Sequence, residues 1–210
     1  MWNKRYAESE LAYGDQPNDW VRETASRLPA GPVLCIAEGQ GRNAVFLAER
    51  GHAVWAMDAS KEGMAVASQL ANQRGVTLQT SVEDLAQADI GTNRWGVIIS
   101  VFAHLPPSLR RDVHRRIVQA LAPGGMLVLE AYTPQQVGRG TGGPPNEALM
   151  MSADTLAEEL SGLAFLVLEE RERMVHEGRY HSGLSHVVRV LAQKPGSLEF
   201  GVTRPPAQKD

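Results

Sequence analysis

Apolar residues in the first two thirds of the chain follow two alternating patterns. Short β-rich runs (VLCIA, AVWAM, VTLQT, GVIISVF and MLVLEAY) are separated by stretches near 42–50, 60–74 and 108–121 with helical spacing. Strands that alternate with helices in this way require βαβ crossovers, and so a parallel sheet with helices on both faces. Upstream, Asn18 and Asp19 followed by WVRETASRL read as a capped helix ended by Pro29-Ala30-Gly31-Pro32. Downstream the pattern changes. A Gly/Pro loop (TPQQVGRGTGGPPNEA) leads to a helix from Ser152 to Ser161, then to the β-rich runs AFLVLEERERMVHEG and SGLSHVVRVLAQ. Their link near Gly178 to Gly183 is short enough for a hairpin, which makes one C-terminal strand antiparallel. The expected fold is α/β, with a seven-stranded, mostly parallel sheet closed by that antiparallel hairpin strand. Gly124 and Gly125, after Pro123, read as a turn returning the chain to the sheet.

Composition narrows the class without naming a chemistry. At 210 residues, 43% hydrophobic and 21% charged, the chain can bury a core without metals or disulfides. A net charge of −3 gives no bulk reason to bind nucleic acid or an anionic membrane. The single cysteine, Cys35, cannot form an internal disulfide and reads as a small buried strand residue. The N-terminal sequence MWNKRYAESE has neither the apolar core of a signal peptide nor a membrane span, so a cytoplasmic location is the expectation. Residues 1–194 read as a single domain, with 1–20 as a candidate lid, and 195–210, which lack apolar periodicity, as a flexible tail.

The candidate chemistry lies where the first strand meets the first inter-strand helix. VLCIA runs into Glu38-Gly39-Gln40-Gly41-Arg42-Asn43, where Gly39 and Gly41 remove side chains that would keep a ligand off the backbone. The next strand delivers Asp58, 17 residues after Gly41, placed to accept hydrogen bonds from a ribose diol. Each such bond contributes roughly 1.5–3 kcal/mol because the acceptor is charged. Asp58 can also serve as a cap for the helix that starts near Ser60. The string GQGRNA fits both dinucleotide and S-adenosylmethionine (SAM) turns, so both cofactors remain open here. Arg42 and Asn43 open a helix whose N-terminal amides favour an anionic group, although Arg42 can equally pair with an acid. Asp84 and Leu85 occupy the loop after the third strand, which reaches the same crevice and can face a base.

These features together resemble class I SAM-dependent methyltransferases. The opening WNKRYAESELAYGDQPNDWV, the run AEGQGRNAVFLAERG, HLPPSLRRDVHRRI and TGGPP narrow the resemblance to the small bacterial tellurite-resistance and thiopurine-methyltransferase-like enzymes. The resemblance implies a Rossmann-like fold, SAM as cofactor with S-adenosylhomocysteine as product, and a small-molecule acceptor, in that family a soft thiol, selenium or tellurium nucleophile. It implies SAM seated along Glu38 to Asn43 beside Ala37, its ribose on Asp58, Ala59 against the adenine face, and Asp84 and Leu85 at the adenine edge. Two positions depart from the family pattern. Cys35 stands where an aspartate is usual and Ala37 replaces the first glycine, which leaves Glu38 as the candidate partner for the amino group of SAM.

Around the expected crevice, His104 follows the fourth strand, and Glu130 and Tyr132 end the fifth, as candidates for the acceptor pocket together with Tyr6 and Tyr13 of the N-terminal segment. No catalytic acid or base is assigned, since methyl transfer to a soft nucleophile needs none. Trp2, Tyr6, Tyr13 and Trp20 gather aromatic faces near the N-terminus, suited to a sulfonium cation or to ordinary packing. His176 and His181 are five apart with a glycine between them, which fits a hairpin turn and not a metal-binding helix. Arg110, Arg111, Arg115 and Arg116 surround an apolar stripe of Leu109, Val113, Ile117 and Leu121, the pattern of a solvated helix face. Two rival readings stay open: an NAD-dependent oxidoreductase, and a SAM-binding regulatory module without turnover.

Overall fold

The computed structural model describes Asn3, Tyr6 and residues 11–196. Seven strands follow the β-rich runs, although β3 keeps only Gln79 and Thr80 of the run VTLQT: β1 (Val33–Ile36), β2 (Val54–Asp58), β3 (Gln79–Val82), β4 (Trp95–Val101), β5 (Leu121–Tyr132), β6 (Ala164–Glu177) and β7 (His181–Gln193). The helices are α1 (Asp19–Thr24), α2 (Arg42–Glu49), α3 (Lys61–Gln73), α4 (Pro107–Ala120) and α5 (Ala153–Glu159). The strand order is β3-β2-β1-β4-β5-β7-β6. β1 to β5 pair in parallel, and β7 runs antiparallel to both β5 and β6. Only the strand second from the edge is therefore reversed. Residues 197–210, and with them most of the expected tail, lie outside the described residues, as does Trp2.

β1 and β4 are buried along their whole length because helices cover both faces of the sheet. Alternation along β1 sends Leu34 and Ile36 to one face, where they pack with Val113 and Ile117 of α4 and Leu156 of α5. Val33 and Cys35 go to the other, against Trp20 and Val21 of α1, Phe46 and Leu47 of α2, and Met64 and Ala67 of α3. A side chain fully buried in this way contributes about 1.5–3 kcal/mol.

Two sequence expectations change. Gly124 and Gly125 do not form a free turn but lie inside β5, where pairing slips between Trp95↔Leu121 and Val97↔Met126. A side chain at Gly125 would sit 2.7 Å from the Trp95 carbonyl oxygen, so the strands close there only over glycine. The arginine-rich face of α4 is not wholly solvated either. Arg110 and His114 are buried, both bonded to Glu159 of α5, with Arg110 Nη2 at 2.9 Å and His114 Nδ1 at 2.7 Å. Among the described residues no helix is long and apolar enough to cross a membrane.

The strand order reverses between β1 and β4, so the loops leaving their carboxyl ends diverge and open a crevice. That crevice receives the residues after β1, β2, β4 and β5.

Candidate functional site

The turn after β1 is held by its own carboxylate. Ala37 has a φ of +48°, unusual for a residue with a side chain, and turns the backbone so that Glu38 points at the start of α2. Glu38 Oε1 accepts hydrogen bonds from the amides of Asn43 at 2.8 Å and Ala44 at 2.9 Å. The position that an outside anion would take at this helix N-terminus is thus filled from within the protein. Burial pushes the Glu38 carboxyl up to about 7, with those amides and Arg42 holding the rise back.

Asp58 closes the other side of the turn. Its Oδ2 accepts from Gly39 N at 2.9 Å and its Oδ1 from Ser60 N at 2.8 Å. A carboxylate offers about four acceptor positions, so two are left for a ligand. Burial raises the Asp58 pKa, and the two amide bonds oppose it. Ser60 Oγ, not Asp58, caps α3, accepting from Gly63 N at 3.1 Å.

Gly39 and Gly41 serve different ends. A Cβ at Gly39 would lie 2.6 Å from Tyr6 Oη, so the N-terminal tyrosine rests directly on the turn. One at Gly41 would lie 2.6 Å from Ala67 Cβ, so that glycine lets α2 pack on α3. Gly63, inside α3, meets the carbonyl oxygen of Gly39 and could not carry a side chain without a clash. Ala12 N donates to Gln40 Oε1 at 2.7 Å, a second link from the N-terminal segment to the turn. Ala59 and Asp84 are exposed beside it, and Leu85 is buried. Asp84 Oδ1 accepts from Ala86 N at 2.9 Å, while Glu83 N donates to the Asp58 carbonyl at 3.0 Å, tying this loop to the end of β2.

Of the two readings of Arg42 the structure takes the acid-pairing one, with a buried partner, and the side chain of Asn43 turns to the N-terminal segment. Arg42 Nη2 pairs with Glu177 Oε2 at 2.5 Å, and Asn43 Oδ1 accepts from Asn18 N at 2.9 Å. Glu130 is not on an open rim. It is wholly buried, bonded to Arg173, to Arg189 Nε at 2.7 Å and to Asn18 Nδ2 at 2.7 Å. Arg173 Nη2 also reaches Glu177 Oε1 at 2.6 Å. Ion pairing of this kind makes the burial of so many charges tolerable. It fastens α1, α2 and the last three strands to one another directly beneath the crevice.

His104 has both ring nitrogens engaged. Nδ1 donates to the Leu149 carbonyl at 3.1 Å and Nε2 accepts from Tyr132 N at 3.3 Å, an arrangement that needs the neutral Nδ1–H tautomer. Burial pushes its pKa down to about 4. Its ring stacks on Tyr132 at 5.7 Å and 10°, and Phe102 stacks against both, 4.5 Å from Tyr132 and 6.4 Å from His104. His181 stands edge-on to both Phe102 and Tyr132, with Tyr13 4.6 Å away. Tyr13 in turn meets Tyr6. Phe102, His181 and Glu177 escape a sequence reading because strand pairing and long-range ion pairs bring them here. The one local hint was the string HEGRYH, whose Glu177 and His181 lie opposite each other across β6 and β7. Among the described residues no group of three or more His, Cys, Asp or Glu could hold a metal ion.

Residues 33–125, which span the glycine turn, Asp58 and the first crossovers, match the family of methyltransferase domains. The matched segment, somewhat under half of the chain, is similar to methyltransferase domains. A 2-heptyl-1-hydroxyquinolin-4(1H)-one methyltransferase of Mycobacteroides abscessus is 33% identical over 105 residues, 49% of this chain and 46% of that protein. The match thus spans about half the length of that curated relative. Solved structures share the fold of the matched segment and its flanking elements. TehB from Haemophilus influenzae is 20% identical with a TM-score of 0.71, covering 84% of this chain and 62% of its own. A protein studied for the conversion of a disulfide bond into a thioacetal group during echinomycin biosynthesis is 20% identical with a TM-score of 0.70, over 94% of this chain and 92% of its own. Magnesium protoporphyrin IX methyltransferase from Synechocystis PCC 6803, solved with S-adenosylhomocysteine bound, is 18% identical with a TM-score of 0.64, over 84% of this chain and 82% of its own.

Proposed function

We propose that the chain binds SAM across the carboxyl ends of β1 and β2 and transfers its methyl group to a small-molecule acceptor. The observation that carries this reading is the buried Asp58 carboxylate, fixed by Gly39 N and Ser60 N with acceptor capacity to spare, inside the segment similar to methyltransferase domains. The donor set suits the cofactor. Asp58 takes the ribose hydroxyls, Ala59 and the Asp84–Leu85 loop flank the adenine, and Glu38 lies nearest to where a cationic amino group would meet the turn. Bound SAM supplies a methyl carbon already activated by its sulfonium.

The protein's own residues have little covalent work to do. They align the acceptor in line with the methyl carbon and keep water out. A soft acceptor would lose any proton to solvent before the site closes, and bound SAM would then supply the methyl group, its sulfur keeping the electron pair of the broken carbon–sulfur bond. Tyr6 and Tyr13, resting on the turn and on each other, act as a lid over the reaction. Residues 1–194 make up the catalytic unit on this reading, and the one buried cysteine suits a cytoplasmic setting.

The resemblance to tellurite-resistance enzymes suggests a soft thiol, selenium or tellurium nucleophile, whereas the Mycobacteroides relative is named for a hydroxyquinolone. Incubation with SAM carrying a labelled methyl group and panels of both acceptor types, read by mass spectrometry, tests the function. A labelled product together with S-adenosylhomocysteine is the expected result. Cofactor binding without any product would favour a regulatory module.

A further inference from the structure

Two buried polar atoms, Tyr132 Oη and His181 Nδ1, have no hydrogen-bond partner among the described residues, although neither side chain is more than 8% exposed and the Ser185 hydroxyl lies close enough to Tyr132 to oppose the rise in its pKa. Both lie among the stacked rings at the ends of β4, β5 and β7. A folded protein rarely leaves such groups unmatched, and here two of them share one corner of the crevice. Phe102, which supports them, has a φ of +52°, a strained conformation for an aromatic residue and of the kind that collects at functional sites. The backbone of the Gly/Pro loop lies directly above. A Cβ at Gly142 would come within 2.6 Å of Tyr132 Oη and 2.9 Å of His181 Cδ2.

The electrostatics of this corner are unusual for a site beside so many arginines. Burial holds His104 and His181 neutral, with values pushed down to about 4 and about 3, and raises the Tyr132 phenol. Arg42, Arg173 and Arg189 are all engaged with Glu177, Glu130 or Glu23. An oxyanion entering here would lose its hydration and meet guanidinium groups already paired with carboxylates, Arg173 keeping only its Nε unbonded among the described residues. A flat, uncharged ring would lose little and gain stacking contacts.

We propose that Phe102, Tyr132 and His181 form the acceptor subsite, and that it takes an uncharged planar aromatic molecule bearing a hydroxyl, thiol or ring N–H. That polar group lies between Tyr132 Oη and His181 Nδ1 and satisfies both, the backbone of Gly142 and Gly143 lifting to admit the ring. The aromatic series Tyr6, Tyr13, His181 leads from the cofactor turn to this corner, so a ring bound here has one edge toward the place where the methyl group would arrive. The assignment rests on the methyl-transfer reading above.

The test uses the full chain titrated first with S-adenosylhomocysteine and then, saturated with it, with 1-naphthol, 4-hydroxyquinoline or tellurite. The expected result is saturable binding of at least one aromatic probe and none of tellurite. Tyr132→Phe and His181→Phe should each weaken that binding at least about tenfold while leaving the affinity for S-adenosylhomocysteine unchanged, which also shows that the variants fold. Binding of S-adenosylhomocysteine with no aromatic probe bound, with tellurite bound instead, or with aromatic binding indifferent to both substitutions would overturn the subsite alone. Absence of S-adenosylhomocysteine binding would overturn the methyl-transfer reading and the subsite with it.

Discussion

Glu38 shows how much a single carboxylate can do at a strand-to-helix turn. The sequence marks it as a substitute for the acid missing at Cys35, and the structure adds that it caps α2 from inside the turn. Its folded pKa of about 7 stands above the ordinary value of 4.5, so the folded protein holds a proton through a range where the unfolded chain has released it. Stability of the cofactor-free protein should therefore fall as pH rises from about 4.5 to about 7. A shift of this size corresponds to about 3 kcal/mol, or a Tm change of roughly 6–12 °C. Glu38→Gln keeps an oxygen for the two amides and should flatten that slope, which thermal denaturation across the pH range will register. Asp58→Asn should weaken SAM binding about tenfold or more in calorimetry, through loss of charge-assisted bonds to the ribose. Unchanged affinity would mean that the ribose lies elsewhere. Both residues were legible in the sequence because strand-end acids follow from local pattern. That Arg42 pairs with an acid was one of two readings, but which acid was not legible, since Glu177 is 135 positions away and only the closed sheet brings them together.

At the scale of elements, strand and helix positions followed from apolar periodicity, while the contacts that fix them did not. The α4 stripe was read correctly, yet Arg110 and His114 beside it turned out to be buried against Glu159, because α5 packs where solvent was expected. The same lesson applies beneath the crevice. Glu130 ends a buried strand and binds two arginines from β6 and β7 together with Asn18 at the cap of α1. Glu130→Ala should cost about 3–5 kcal/mol by leaving Arg173 and Arg189 partly unpaired in the interior. Urea denaturation will measure it. A loss below about 1 kcal/mol would show that water or rearrangement replaces the carboxylate.

For the molecule as a whole, alternating βαβ units make the crevice, and the reversed strand β7 with its hairpin partner brings His181 and Glu177 back to its edge. Most of the parallel half could be read from the sequence because β1, β2, β4 and β5 contain continuous apolar runs, whereas the polar, exposed edge strand β3 is displaced from the run that foretold it. The acceptor side could not, because it is assembled from β4, β5, β7 and two loops distant in sequence. The central claim is that SAM binds across the carboxyl ends of β1 and β2, and isothermal titration of the purified chain with SAM, S-adenosylhomocysteine and NAD tests it most directly. Micromolar binding of the first two with none of the third is the predicted result. Binding of NAD alone would make the glycine turn a dinucleotide site and contradict the account.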